Sequence, residues 1–318
     1  MARWCVGIDL GGTFVKFGLL SEDRQAGPTF QLPTLVDARP GGVIARMAEG
    51  ARQLIEGRGG EEFVAVGVGA PGPLNIAEGV VVAMPNIPGM ENVPLAARLS
   101  EALGLPVFLE NDANAAAYGE FLCGSGAGCR SMVLLTLGTG VGSGIIIDGQ
   151  ILHGSHDIGA EIGHMIVIPD GEPCACGQRG CLERYSSATY MAQRATRMVR
   201  QGRASRLKAV LERKGSLDSL DVEQARKAGD GLAAEVWDDA ARCLAVACVN
   251  ICRVLDCDQI VLAGGLAKAG DELMVPLMAH FRRLHWSLTA PRTKIVFASL
   301  GNDAGVIGAA AVAWRGSG

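Results

Sequence analysis

The sequence predicts an α/β protein built in two parts, on three observations. Strand-like and helix-like segments alternate along most of the chain. A strand, glycine turn, strand unit occurs twice, near residue 11 and near residue 138, as a weak internal repeat. The length of 318 residues suits one large domain or two medium ones.

The segments follow in order. "WCVGIDLGGTFVKFGLL" keeps a two-residue period on both sides of Gly11-Gly12, so it reads as a hairpin. A phosphate loop or dinucleotide fingerprint would run into a helix instead. Residues 41–59 read as a helix, 63–74 as a buried strand ending in a Gly/Pro loop, and "LAARLSEALGLP" as a helix closed by Gly104 and Pro106. "VFLE" is a strand and 111–124 a helix. Residues 131–152 repeat the hairpin, with a further turn at Asp148-Gly149. Helices are predicted from about Ser186 to Leu211 and from about Asp230 to Leu255. Residues 259–284 read strand, Gly-Gly turn, helix; "TKIVFASL" is a strand and 305–314 a closing helix. Two halves that each open on a glycine hairpin suggest a nucleotide held in a cleft between them, because turn amides form anion-binding concavities.

Composition excludes several classes. Charged residues are 19% and apolar residues 49%, which is not a disordered chain. No run of eighteen or more apolar residues predicts a membrane span. The N-terminus enters a strand with no apolar signal core, so a cytoplasmic protein is expected. The net charge is −4 with dispersed cations. The densest basic stretch, 194–208, has the spacing of a solvated helix face, and no nucleic-acid partner is expected.

Ten cysteines are an even count, but a large core in a reducing compartment argues against a disulfide framework. Cys243, Cys248 and Cys252 lie in an apolar helical run and read as small core residues. "CACGQRGC" is different: Cys174, Cys176 and Cys181 fall within eight residues, ten after His164. Three thiolates and an imidazole suit a closed tetrahedral zinc site, and C-x-C-x₄-C is not the redox spacing C-x-x-C. By spacing alone, His153 and His156 are rival fourth ligands.

"DLGGT" places Asp9, a candidate Mg²⁺ ligand, two residues before bare glycines that let phosphate approach the backbone. "LGTGVGSG" (137–144) occupies the matching place in the second half, and "AGGLAKAG" (263–270) ends a strand. "LENDANAAAYGE" (109–120) sets Asn111 and Asp112 at a strand-to-helix junction. One such residue would be an ordinary cap; the stretch holds more polar groups than a cap requires.

The chain resembles the ROK family (repressor, open reading frame, kinase), and within it the bacterial glucokinase branch. The resemblance rests on "DLGGTFVKFGLL", "GAPGPL", "MPNIPGMENVPL", "ENDANAAAYGE", "LGTGVGSGIIIDGQILHG", "EIGHM" followed by "CACGQRGCLE", and "LAGGL". It implies a two-lobed actin-like, ribonuclease-H-like ATPase fold with nucleotide and sugar in the interdomain cleft. The small lobe would be 1–122 plus 304–318 and the large lobe 123–303. It implies ATP- and Mg²⁺-dependent phosphorylation of glucose at its 6-hydroxyl by a hexokinase-type phosphotransferase that forms a homodimer or homotetramer. Asp112 would be the base; Asn86, Asn111, Asp112, Glu161, His164 and Glu183 would hold the sugar. Asp9, Gly11, Gly12, Thr13, Lys16, Gly138, Thr139, Gly140, Gly264 and Gly265 would serve the nucleotide. His164, Cys174, Cys176 and Cys181 would bind a structural Zn²⁺ that orients His164 toward the sugar. The helix dipole is expected to keep Asp112 ionised. The helix-turn-helix that precedes the first strand in the family's repressors is not expected, since that strand begins near Trp4. Fructose, mannose, N-acetylglucosamine or N-acetylmannosamine are the alternative substrates, and a catalytically silent sugar sensor is the alternative of another class.

Overall fold

The computed structural model describes residues 2–35, 39–84 and 87–317. Contacts divide the chain into two compact units, one of residues 1–134, 144–160 and 298–318, the other of 135–143 and 161–297. The segments 123–134, 144–160 and 298–303 of the expected large lobe thus group with the first unit.

The chain opens with strands β1 (Arg3–Leu10), β2 (Phe14–Ser21) and β3 (Ala26–Pro33), then helix α1 (Arg39–Glu56) and β4 (Glu62–Ala70). A short hairpin of β5 (Leu74–Asn75) and β6 (Val80–Val81) precedes α2 (Leu95–Leu103), β7 (Val107–Asn111) and α3 (Asp112–Cys123). The predicted hairpin at Gly11 is present: β1 and β2 pair antiparallel, with Asp9 opposite Lys16. The sheet order is β3-β2-β1-β4-β7, with β1, β4 and β7 parallel. Parallel strands need crossovers, which α1 and α2 supply.

Side chains alternate along β1. Trp4, Val6, Ile8 and Leu10 join Val43, Met47 and Ala51 of α1 in one core. The opposite face carries Gly7 and Asp9.

The second half of the chain holds β8 (Met132–Leu137), β9 (Val141–Ile147) and β10 (Gln150–Ile151). Helices α4 (Glu183–Ser186), α5 (Ala188–Arg200), α6 (Leu207–Lys214), α7 (Ser219–Lys227) and α8 (Gly231–Leu255) follow. β11 (Gln259–Ala263), α9 (Asp271–Leu284), β12 (Lys294–Phe297) and α10 (Ala304–Ser317) complete it. The second sheet runs β10-β9-β8-β11-β12, and the division between the units passes through β8 and β9. In the second unit α5, α7 and α9 pack on α8, whose Cys243, Cys248 and Cys252 are buried as expected of core residues.

α10 belongs to the first unit and packs on β1, β4 and α3. The approach is close enough to demand glycine. A Cβ on Gly67 of β4 would stand 1.8 Å from the Ala309 carbonyl oxygen, and one on Gly308 would stand 1.6 Å from that of Ala115 in α3. This packing brings the first turn of α10 against Asp9: a Cβ on Gly305 would lie 2.9 Å from its carboxylate.

Several expectations are corrected. The single helix from Ser186 to Leu211 is two helices, because α5 ends in a turn at Gln201–Gly202, where Gly202 takes φ +87°. α7 and the edge strand β3 were not predicted. The Gly264-Gly265 turn leads first into a 3₁₀ turn, Leu266–Ala269, before α9. The basic stretch runs over the end of α5, the turn after it and the start of α6, and three of its arginines are paired: Arg194 with Asp239, Arg197 with Glu172 and Arg203 with Glu235. Among the described residues no helix is long and apolar enough to cross a membrane.

Candidate functional site

In the first unit, the hairpin tip is built by the backbone. The Gly11 N–H donates to Phe14 O at 3.0 Å, and its carbonyl accepts from the Thr34 hydroxyl at 2.7 Å. A Cβ on Gly11 would sit 2.8 Å from the Phe14 oxygen, so the turn needs a glycine there. Gly12 and Thr13 are exposed at the tip. Beside it Lys16 Nζ lies 3.8 Å from Asp9 Oδ2 and donates to Asn302 O at 3.0 Å.

β7 delivers Asn111 and Asp112 where α3 begins. Asn111 is the N-cap, its Oδ1 accepting from Ala113 N at 3.0 Å and Asn114 N at 3.2 Å. The cap uses only the carbonyl side of this amide and leaves the NH₂ for other work. Asp112 is the first helical residue, and its Oδ1 accepts from Ala113 N at 2.8 Å.

The helix terminus does not lower the proton affinity of Asp112. Burial raises its pKa, and the Ala113 N–H opposes this without cancelling it. Desolvation outweighs the helix terminus. Asp9 is raised for the same first reason, with the Lys16 charge opposing and the Asp112 charge adding. The first unit therefore holds two interacting carboxylates, each with raised proton affinity. Asn86 lies outside the described residues.

In the second unit the turn Gly138–Gly140 closes on itself, Gly138 N–H donating to Gly140 O at 3.0 Å. Thr139 is exposed at its tip. Ala188 N–H, at the start of α5, donates to Gly138 O at 2.9 Å. Space around the glycines is unequal. A Cβ on Gly138 or Gly265 would meet nothing within 4 Å, whereas one on Gly140 would stand 2.3 Å from Glu183 Oε2. Gly264, at φ +89°, would put a Cβ 2.6 Å from Leu137 O. Open space thus faces the turn, as a phosphate cradle requires, while the tight glycines join it to its supports. A cavity of about 780 Å³ adjoins it, lined by Ala188, Thr189, Gln193 and residues on to Ser219; spacing gave no sign of it.

Glu183, and the Ile162–Gly163 pair that joins Glu161 to His164, pack against residues 141–143, just after that turn. The Ile162 N–H donates to Ser143 Oγ at 3.0 Å, and a Cβ on Gly163 would stand 2.0 Å from Val141 O. Glu183 Oε2 accepts from Val141 N at 3.0 Å. Glu161 is exposed, and His164 and Glu183 are partly buried.

The cysteine cluster forms as predicted. One ligand atom each of His164, Cys174, Cys176 and Cys181 lies within 4.8 Å of the others. His164 Nδ1 is 3.7 Å from Cys174 Sγ, and Cys176 Sγ is 3.6 Å from Cys181 Sγ. A tetrahedron of zinc–sulfur bonds has edges of about 3.7 Å, so the donor set fits Zn²⁺. The thiols are unequal: the Gln178 amide draws Cys176 down to about 6, and burial pushes Cys181 up to about 12. His164 turns Nδ1 to the cluster, so Nε2 is the nitrogen left for a second partner. His153, a rival ligand by spacing, instead bonds Glu110 at 2.8 Å. His156 is outside the cluster.

A ROK family model matches residues 5–315. The chain is 39% identical over 311 residues to a protein of Halalkalibacterium halodurans named glucokinase, covering 96% of this chain and 93% of that one. The ROK hexokinase structure from Thermus thermophilus superposes with a TM-score of 0.87 at 33% identity, over 98% of each chain. A ROK family glucokinase from Streptomyces griseus, solved with glucose and AMPPNP, gives a TM-score of 0.79 at 31% identity, over 98% of this chain and 99% of that one.

Proposed function

The chain belongs to the ROK family, and from that premise we propose that it is a glucokinase, transferring the terminal phosphoryl group of ATP to the 6-hydroxyl of glucose. The observation that carries the reading is Asp112: a carboxylate of raised proton affinity, fixed at a helix start in a chain that has relatives of 35–39% identity, matched over nearly their full length, named glucokinase. In phosphoryl transfer the protein mainly positions groups and compensates charge. Asp112 orients the acceptor hydroxyl and takes its proton as the oxygen bonds to phosphorus. Its burial makes it a better base than an exposed aspartate.

Asn86, Asn111, Glu161, His164 and Glu183 hold sugar hydroxyls. Gly11, Gly12, Thr13 and Lys16 in the first unit, and Gly138, Thr139, Gly140, Gly264 and Gly265 in the second, serve the phosphates. The cavity beside Ala188 suits the base of the nucleotide. Asp9 is the residue to hold Mg²⁺, directly or through water, and the ion supplies charge neutralisation at the phosphates. Zn²⁺ in the cluster supplies structural order and fixes the His164 tautomer. The enzyme is taken to work in the cytoplasm as a homodimer or homotetramer, which light scattering of the purified protein checks.

The test is a sugar panel with ATP: glucose, mannose, fructose, N-acetylglucosamine and N-acetylmannosamine. Glucose should give the highest kcat/KM. An acetamido sugar winning by about tenfold, or 1.4 kcal/mol of transition-state binding, would replace glucose as substrate and leave the kinase reading standing. No sugar-dependent ADP release from any of them would end the kinase reading.

A further inference from the structure

Glu110 precedes the Asn111–Asp112 pair on β7 and is 2% exposed. Its carboxylate joins three pieces of the first unit. Oε1 accepts from the Asn111 backbone N–H and from Asn114 Nδ2, each at 3.0 Å. Oε2 lies 2.8 Å from His153 Nε2, which arrives from the segment after β10. A carboxylate this deep needs every one of its donors.

Two of these contacts flank Asp112 in the chain. Asn111 is the cap that starts α3, and Asn114 lies beyond Asp112 in the first turn. Asn114 shows which contact dominates. Its Oδ1 is buried with no hydrogen-bond partner among the described residues. Turning the amide over would set that oxygen against the Glu110 carboxylate, so the side chain keeps its donor on Glu110 and leaves the acceptor unmet.

His153 is held by Glu110 from β7, faces Asp157 on its own segment and Arg315 on α10, and is partly buried. The bond to Glu110 raises its pKa most, Asp157 adds to this, and burial and Arg315 oppose it.

We propose that Glu110 and His153 form a positioning pair: His153 fixes Glu110, and Glu110 fixes Asn111 and Asn114, which set the direction of the Asp112 carboxylate. The proposal rests on the reading of Asp112 as the base. It makes turnover depend on a residue 41 positions away in sequence that touches neither sugar nor nucleotide. Turnover then falls as pH rises through the raised His153 value, where His153 loses its charge and its bond to Glu110 weakens from an ion pair to a neutral hydrogen bond.

The experiment uses the full chain as wild type, His153→Ala, His153→Gln and Glu110→Gln. kcat and both KM values are measured across pH, melting temperature is recorded, and His153 is titrated by NMR with the Ala113 and Asn114 amides observed. His153→Ala should lower kcat by on the order of 10- to 100-fold, the scale of a misplaced catalytic group, with the ATP KM unmoved. His153→Gln, which donates through Nε2 without charge at every pH, should recover part of that loss, hold kcat near the wild type's alkaline level and show no alkaline fall. Glu110→Gln should return the His153 titration toward its ordinary value. The proposal is overturned if His153→Ala turns over like wild type, if Gln and Ala are equally impaired, or if the alkaline fall survives in the Gln variant. Should wild type phosphorylate no sugar, or Asp112→Asn keep its turnover, the reading of the base fails separately. The NMR titration then decides: Ala113 and Asn114 amides that stay still while His153 titrates would overturn the pair as a positioning device.

Discussion

Glu183 reaches back 42 residues to accept the Val141 backbone N–H at 3.0 Å. Glu183 stands two residues after Cys181 of the metal cluster, and Val141 directly follows the glycine turn. The cysteine loop and the Gly138–Gly140 turn of the second unit are therefore one connected structure. Gly140 owes its lack of a side chain to the same contact, since a Cβ there would strike Glu183 Oε2 at 2.3 Å.

A first prediction follows from that bond. Glu183→Ala should raise the KM for glucose and also the KM for ATP, because the turn loses an anchor. Glu183→Gln keeps an acceptor for Val141 and should spare ATP more than glucose. Steady-state kinetics with each substrate varied in turn provides the check. An ATP KM unchanged in the Ala variant would show that the turn does not depend on Glu183.

The connection also changes what metal removal should do. From spacing, the nucleotide turns lie far from the cysteines and should tolerate loss of zinc. In the structure Ile162, Gly163 and Glu183, on either side of the cluster in the chain, all pack against residues 141–143. Chelation should therefore weaken both glucose and nucleotide binding, glucose more. Cys176→Ala and Cys181→Ala should copy this, and Cys248→Ala, in the α8 core, should not. Elemental analysis should find one zinc per chain, and calorimetry should report both affinities. A folded protein isolated without zinc, or a Cys181→Ala variant with wild-type sugar affinity, would remove the structural role of the metal.

The sequence carried the local features because they are written in short range. The glycine hairpins, the β7–α3 junction and the cysteine cluster each occupy a few consecutive residues. β3 escaped because Pro28 and Pro33 interrupt its pattern and it lies half-exposed on a sheet edge. α7 escaped because its capping box uses Asp221 where Glu or Gln is usual, and because it buries only Val222 and Ala225. The pairs Glu110–His153 and Glu183–Val141 join positions more than 40 apart, which no spacing rule reaches. The direction of the Asp112 shift was not legible because a helix terminus shows in sequence while desolvation does not.

Replacing Asp112 tests function and stability at once. Asp112→Asn should lower kcat by roughly two to four orders of magnitude, the range for loss of a general base. Its effect on stability should be opposite in sign. The folded state raises the pKa, so it binds the proton more tightly than the unfolded chain does. Stability then falls as pH rises from the ordinary carboxylate value through the raised one. At neutral pH the ionised Asp112 is a burden, made worse by Asp9 nearby. The Asn variant should melt at or above the wild-type temperature at pH 7, with the advantage gone at acid pH. A clear loss of melting temperature at pH 7 would mean that the carboxylate is a net stabiliser.

The position of the site on its scaffold depends on how near α10 comes to α3 and the first sheet. Gly308 meets the Ala115 carbonyl, Gly305 meets Asp9, and α3 begins with Asp112, so one close packing sets the distance between the Asp9 and Asp112 carboxylates. Gly308→Ala would place a methyl group 1.6 Å from the Ala115 oxygen, a rigid backbone atom, so a helix must move. The expected cost is about 1–3 kcal/mol, as for overpacking a filled core, with kcat falling because either α3, which begins with Asp112, or α10, whose Gly305 abuts Asp9 of β1, must shift. Gly231→Ala is the comparison. Gly231, the first residue of α8, is also a helical glycine, but a Cβ there meets nothing within 4 Å, so the substitution should gain about 0.4–1 kcal/mol. Urea unfolding and kcat of the two variants decide the matter. A Gly308→Ala protein as stable and active as wild type would show that α10 can retreat without moving Asp9 or Asp112.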